Sequence, residues 1–438
     1  MYDRREQVQA HSFLSGRLNS ALLRTDPDAA EQPLRRTSTG LLGGIAIGGL
    51  VIAGVLVAGL LSPGGGDKWR APGTLVVDED TGNRYLLVAG ELRPVLNHAS
   101  ARLALGADMR VVAVSSADLD GTPRGAAVGI LGAPDEVPTR VAAQPWTVCA
   151  GDDAEVSLTI GEAPGTAPTD HAALVRVGEE LHVAWRDRRF RVTAPWAPRA
   201  LGLDPADAVQ VDPAWLNALP AGPDLGAPAV QRGGAGRSIG VRAAVAGQSV
   251  RVPGAVGGGD FVVTPAGLAP VTATVAALLA ADPAGAGLPV LEITPAQLAE
   301  QTVLPAPELQ ADLPPEPPAP LDRDGRTACV RWAGDTAELV TAPAAGPARA
   351  TALPGATRDD RVADRVEVAP GAGLLARTRP APGVPGEGVY LITEPGAKYP
   401  VASADAAAAL GLPVESATAV PADLLALLPT GPVLDRIT

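Results

Sequence analysis

The 438-residue chain carries 48 acidic against 35 basic side chains, a formal charge of −13, which excludes the clustered positive charge that nucleic-acid binding requires. Only 3% of residues are aromatic, whereas Gly (50) and Pro (44) abound, so cores must be built from Val, Leu, Ala and Ile in short strands and small helices joined by many turns. The length allows several domains.

Residues 6–24 place Ala10, Phe13, Leu14, Leu18, Ala21 and Leu22 on one face at helical spacing. Asp26-Pro27 stops that helix, because the residue before proline is driven out of the α region. A lone helix of this length is marginal in water, and its polar face is poor in basic residues. A protein partner is therefore expected, with Phe13, Leu14, Leu18 and Leu22 as the contact stripe. Leu41 to Leu61, LLGGIAIGGLVIAGVLVAGLL, carries no charge. At ~1.5 Å per residue it makes a helix of roughly 30 Å, the thickness of a bilayer's hydrocarbon core. It exceeds the apolar region of a signal peptide and follows 40 residues, so an uncleaved anchor is expected. Arg35 and Arg36 before it, against Lys68 and Arg70 after it, place residues 1–40 in the cytoplasm and 62–438 outside. Gly40, Gly44 and Gly48 recur every four residues, a stripe suited to close helix packing.

Beyond the span, one unit recurs. Its anchor is a hydrophobic pair, a small or proline step and Ala-x-Leu: VAVSSADL (112–119), VQVDPAWL (209–216), LEITPAQL (291–298) and ATAVPADL (417–424). Upstream lie strand-like starts at 84–95, 181–192, 261–271 and 389–401. Each unit reads as a hairpin, a short helix ending near a Leu-Gly step (Gly106, Gly202, Gly411), a strand, and a second helix. Pro213, Pro295 and Pro421 suit the first position of that second helix, where a missing N–H costs nothing. Two inserts resemble each other, WTVCAGDDAEVSLTI (146–160) and TACVRWAGDTAELVT (327–341). They carry Cys149 and Cys329, for which a disulfide is the simplest state outside the cytoplasm and two separate buried thiols the alternative. The expected fold class is α+β: an N-terminal transmembrane helix, then four small α/β repeats around a central strand-rich module with pseudo-two-fold symmetry. The boundaries are a cytoplasmic segment 1–40, span 41–61, repeat one 62–134, central module 135–170, repeat two 171–235, repeat three 236–310, central module again 311–380, and repeat four 381–438.

Residues for chemistry are sparse. His11, His98, His171 and His182 show no zinc-like spacing, and no G-x-S-x-G elbow occurs. Asp152-Asp153 and Asp359-Asp360 read as solvated loop carboxylates; no metal or cofactor is expected. The nearest approach to a phosphate loop is QRGGAGRSIG, with Gly233, Gly234, Gly236, Arg237 and Ser238. It is too short, has Arg where Lys should reach the phosphates, and follows a Pro-rich stretch instead of a strand. A surface linker is the simpler identity. The run ADLPPEPPAPLDRD (311–324) reads as a semi-rigid polyproline spacer.

The N-terminal QVQAHSFLSGRLNSALLRTDPD, the Pro-Leu-Arg-Arg turn at 33–36, a single span and a long exported region with two cysteines resemble EccB, the single-span membrane component of type VII (ESX) secretion systems. Ser12 stands where that family commonly has Arg. The resemblance implies an elongated exported domain of four repeats, each similar to a phage-lysin cell-wall-binding subunit (PlyCB-like). It also implies a structural role in an inner-membrane export complex, with EccC-like (motor ATPase), EccD-like and EccE-like partners and self-association. ATPase activity is attributed to some relatives. The alternatives are a membrane-anchored extracytoplasmic nucleotide hydrolase and a cell-wall-binding or -processing protein.

Overall fold

The computed structural model describes residues 4–24, 43–45, 47–52, 66–138, 140–141, 145–161, 165–167, 170–234, 237–254, 259–305, 309, 312–323, 325–343, 353–381 and 383–437. The first helix, α1 (Arg4–Arg24), covers the expected amphipathic segment. Most of the 41–61 stretch, and Gly40 before it, lies outside the described residues. Among those described, no helix is long and apolar enough to cross a membrane.

Each hairpin expected from the sequence gains a strand on either side of it in the chain, and the result is four sheets of one order. β1 (Thr74–Asp78), β2 (Arg84–Val88), β3 (Glu91–Pro94) and β4 (Arg110–Val114) lie as β3-β2-β1-β4, with β1 antiparallel to β2 and parallel to β4. The order recurs in β8 (His171–Val177), β9 (Glu180–Trp185), β10 (Arg188–Arg191) and β11 (Val209–Gln210). It recurs again in β14 (Ser249–Arg251), β15 (Asp260–Val263), β16 (Leu268–Pro270) and β17 (Leu291–Glu292). The last sheet holds β22 (Ala372–Arg379), β23 (Val389–Ile392), β24 (Lys398–Pro400) and β25 (Thr418–Pro421).

A fourth strand parallel to the first needs a crossover. It is supplied by α2 (His98–Leu105), α3 (Ala197–Ala200), α5 (Ala273–Ala281) and α7 (Ala404–Ala409). The Leu-Gly steps close three of these crossover turns, with Gly106, Gly202 and Gly411 at φ of 98°, 79° and 84°. After the fourth strand come a 3-10 turn (Ser116–Leu119), α4 (Pro213–Asn217), α6 (Pro295–Ala299) and α8 (Ala422–Ala426). Pro213 and Pro295 occupy the expected first helical position behind the capping side chains of Asp212 and Thr294, whereas Pro421 is one place earlier, at the N-cap itself. β22 pairs with β23, so the last sheet starts at residue 372, ahead of the segment 381–438 expected as repeat four. Ala372–Ala376 is buried on both faces, so it lacks the alternation that marks a half-buried strand.

In all four sheets the chain turns back along the outer edge of the third strand. The N–H groups of Leu92, Arg189, Leu268 and Lys398 donate to the carbonyls of Pro123, Pro220, Thr302 and Pro429. In two of them the returning segment is Leu-Pro-x-Gly-Pro, and its glycine crosses an aromatic ring. A Cβ on Gly222 would fall 2.5 Å from Cε1 of Phe190, and one on Gly431 would meet Cε1 of Tyr399. Gly222→Ala and Gly431→Ala are each expected to cost about 1–3 kcal/mol by overpacking. A thermal melt of either variant that matched the parent would show that the ring moves aside freely.

A fifth sheet, ordered β20-β19-β6-β7-β21, joins distant segments. Its strands are β6 (Trp146–Ala150), β7 (Val156–Ile160), β19 (Thr327–Ala333), β20 (Thr336–Ala342) and β21 (Arg365–Val368). Two short strands lead into its hairpins: β5 (Arg140–Val141) pairs with β22, and β18 (Ala319–Pro320) pairs with β8.

Residues 1–92 with 110–123 form one compact unit, and 93–109 with 124–438 form another. The first is centred on Trp69, Val76, Tyr85, Leu92, Val114 and Leu119. In the second, α2 packs on α7 around Leu103, Leu375, Leu391 and Leu410, and α3 packs on α5 around Leu174, Phe190, Leu201 and Leu278. Leu313 joins the latter core, and the Pro315 carbonyl accepts the Thr274 N–H at the start of α5. The proline-rich run is therefore a docked strap at these points, not a free spacer. Its prolines cannot donate to a ladder, so it is held by an apolar side chain, by the Pro315 carbonyl, and by the Ala319 and Leu321 N–H groups on the carbonyls of Asp170 and Ala172.

Candidate functional site

The two cysteine inserts meet at β6 and β19, which run antiparallel with Cys149 opposite Cys329, Val148 opposite Val330 and Trp146 opposite Trp332. Strand alternation puts the tryptophans and valines on one face and the cysteines on the other. Cys149 and Cys329 are bonded, which removes the two-thiol alternative. On the opposite face, Trp146, Val148, Val330 and Trp332 form a core with Trp215, Leu216 and Leu219 from α4 and its C-terminal end, and with Leu424 and Leu425 from α8. The Trp332 indole donates to the Ala218 carbonyl at 2.8 Å. This seam joins segments 180 residues apart within the second unit.

On α1, Phe13, Leu14 and Leu18 are 64%, 61% and 62% exposed, an apolar stripe open to a partner; the side chain of Leu22 lies outside the described residues. A Cβ added at Gly44 or Gly48 would meet nothing within 4 Å, so no described contact uses that stripe.

At the glycine loop, described polar groups are already engaged. The Gly233 N–H is already engaged by the Ala246 carbonyl (3.1 Å), and Arg237 Nη1 donates to the Ala266 carbonyl (3.2 Å). Ser238 opens β12 (Ser238–Ile239), which forms a two-residue hairpin with β13 (Arg242–Ala243). A phosphate cradle needs free N–H groups leading into a helix N-terminus, and a hairpin stands there instead; Gly236 lies outside the described residues. The neighbouring Arg232 pairs with Asp282, the two side chains being 19% and 17% exposed, and its stem fills the space beside Gly247. Arg232→Met is expected to cost about 3 kcal/mol by leaving Asp282 largely buried and unpaired, with Arg232→Met/Asp282→Leu recovering most of the loss. A double variant no more stable than the single one would refute that account.

Among the described residues no group of three His, Cys, Asp or Glu side chains is placed to hold a metal ion. His182, in β9, is 8% exposed, with Glu180 at 3.6 Å on Nε2 and no hydrogen-bond partner described for Nδ1. Burial lowers its pKa from the ordinary 6.5, Glu180 opposes this, and Arg189 adds to the lowering. The folded state thus binds fewer protons than the unfolded chain just below pH 6.5. Stability should be full above that value, fall as pH drops below it, and level off beyond the folded pKa. Melting temperatures from pH 7.5 to 5 should show a smaller decline in His182→Gln; an identical decline would exclude the imidazole as its source.

Lys398 was visible in the sequence only as an oddity, one of two lysines among 33 arginines. Its ammonium donates to the carbonyls of Leu425 (2.6 Å) and Leu428 (2.8 Å), at the end of α8 and just beyond it. A compact point donor fits two converging carbonyls better than a planar fork does. Burial lowers its pKa to about 8, with Asp359 opposing.

The family model for the type VII secretion system ESX-1 transport TM domain B matches residues 2–438. The ESX-1 secretion system ATPase EccB1 of Mycolicibacterium smegmatis (strain MKD8) is 30% identical over 466 residues, covering 98% of this chain and 93% of that protein. A chain in the structure of an intact ESX-5 inner membrane complex superposes with a TM-score of 0.67 at 27% identity, covering 100% of this chain and 94% of that one. A chain of the periplasmic assembly from the ESX-5 inner membrane complex gives a TM-score of 0.67 at 28% identity, covering 86% and 97%. The agreement runs from end to end in both sequence and fold, and the chain belongs to the EccB family of type VII secretion systems.

Proposed function

We propose that this chain is a structural component of a type VII secretion complex in the inner membrane, anchored by Leu41–Leu61 with residues 1–40 in the cytoplasm and 62–438 outside. The observation that carries this reading is the superposition along the whole chain on a subunit of an ESX-5 inner membrane complex. Its partners are EccC-like, EccD-like and EccE-like subunits and further copies of itself. The exposed Phe13, Leu14 and Leu18 stripe on α1 is the cytoplasmic contact, with Leu22 extending it, and Gly40, Gly44 and Gly48 pack within the bilayer.

The four sheets of one strand order are read as copies of one α/β unit, and the two cysteine hairpins as halves related by a pseudo-two-fold axis through the disulfide. The pairing of α2 with α7 and of α3 with α5 supports this, as do β5 on β22 and β18 on β8. Purification of the full chain from gently solubilised membranes should bring down an FtsK-like ATPase. Recovery of the chain alone overturns the reading.

The name of the M. smegmatis relative favours a second reading, an extracytoplasmic nucleotide hydrolase. Arg237→Ala/Ser238→Ala tests the glycine loop, and unchanged hydrolysis would clear it of any role.

A further inference from the structure

A groove of about 1,120 Å³ opens in the second unit between the β6–β7 turn, the approach to β11 and the segment joining β18 to β19. Apolar residues Ala173, Leu174, Leu203, Val209 and Leu321 are among its lining. Ala173 and Leu174 are the two residues of β8 between those paired with β18 and those paired with β11, so the groove follows one strand edge. Its rim is acidic. Asp152, Asp153, Asp204, Asp207 and Asp322 line it and are all exposed.

Arg199 pairs with Asp204 (3.6 Å), and of the lining residues Arg323 and Arg326 are the basic ones, Arg326 being committed elsewhere by donating to the Thr341 carbonyl at 2.8 Å. Five carboxylates to three guanidiniums, Arg199 included, still exceeds the 48 to 35 of the whole chain. The turn carrying Asp152 and Asp153 is held shut by the Gly151 N–H on the Glu155 carbonyl (2.6 Å).

We infer that this groove docks an extended, Lys- or Arg-bearing segment of another polypeptide. The sign of the rim repels nucleotides and acidic polymers. The space exceeds the roughly 300–1,000 Å³ of small-molecule sites. An extended strand alternates its side chains, so small apolar residues reach the apolar lining while basic ones at every second position meet the rim. Rim charges of this kind set on-rate and salt dependence more than they set affinity. The inference rests on the groove alone, and its failure would leave co-purification with the secretion partners untouched.

The test uses the full chain in detergent and fluorescence anisotropy of a short labelled peptide alternating Lys and Ala, beside its Glu-Ala counterpart. The Lys-Ala peptide should bind and the Glu-Ala peptide should not. Asp152→Asn/Asp153→Asn/Asp207→Asn should weaken binding at least about tenfold. Glu292→Gln/Glu300→Gln/Asp405→Asn, which removes exposed charge away from the groove, should stay within about twofold. Raising salt from about 50 to about 300 mM should weaken the parent more than the groove variant. Absence of binding, or equal weakening by both triple variants, overturns the proposal. Spermine competing as well as the peptide overturns the assignment to a polypeptide.

Discussion

Replacing both Cys149 and Cys329 by serine is expected to lower the unfolding free energy by up to about 5 kcal/mol, the chain-entropy value for so long a loop. The bond spans 180 residues, and everything between β6 and β19, including two of the four-stranded sheets, hangs within the loop it closes. The β6–β19 ladder survives in the variant, so native structure should persist with a lowered denaturant midpoint. The parent protein should also run faster on a non-reducing gel than Cys149→Ser. An unchanged midpoint would mean that the denatured chain already stays compact around the seam, and equal mobility would deny the bond itself.

Trp215→Ala is expected to cost about 3–5 kcal/mol, because its side chain is fully enclosed between α4 and the central sheet and no neighbour can fill the space. A milder substitution separates packing from hydrogen bonding. Trp215 Nε1 has no hydrogen-bond partner among the described residues, so Trp215→Phe gives up packing alone. Trp332→Phe also strips the buried Ala218 carbonyl of its donor, which should add about 1–3 kcal/mol. Denaturant titrations of the two variants decide it. A larger loss for Trp215→Phe would refute the hydrogen-bond argument.

What could be read from the sequence is what local chemistry dictates. Alternation exposed the hairpins at 84–95 and 389–401, and Asp212-Pro213 and Thr294-Pro295 announced helix starts because cap and ring act within one turn. The parity of cysteines, with their matching Gly-Asp hairpins, pointed to the seam. What stayed hidden is set by distant neighbours. The first five residues of β22, Ala372–Ala376, are buried on both faces and read as a bare apolar run. The Pro123, Pro220, Thr302 and Pro429 carbonyls that close the sheet edges sit in segments with no strand pattern of their own. Nor does composition reveal that the Ala246 carbonyl has already taken the Gly233 N–H. Leu313, one leucine among prolines, gave no sign of entering a core.

The pairing of β6 with β19 also imposes an order in time. A ribosome adds roughly 5–20 residues per second, so the 180 residues separating Cys149 from Cys329 take roughly 9–36 s to make. For that interval β6 has its hairpin partner β7 on one side and nothing of its own chain on the other, an open edge of the kind that captures stray strands. The four peripheral sheets are assembled from nearer segments and can close as they emerge. The central sheet, begun at residue 146, stays incomplete until β21 is made at residue 368, and the thiol of Cys149 waits unpaired until Cys329 emerges.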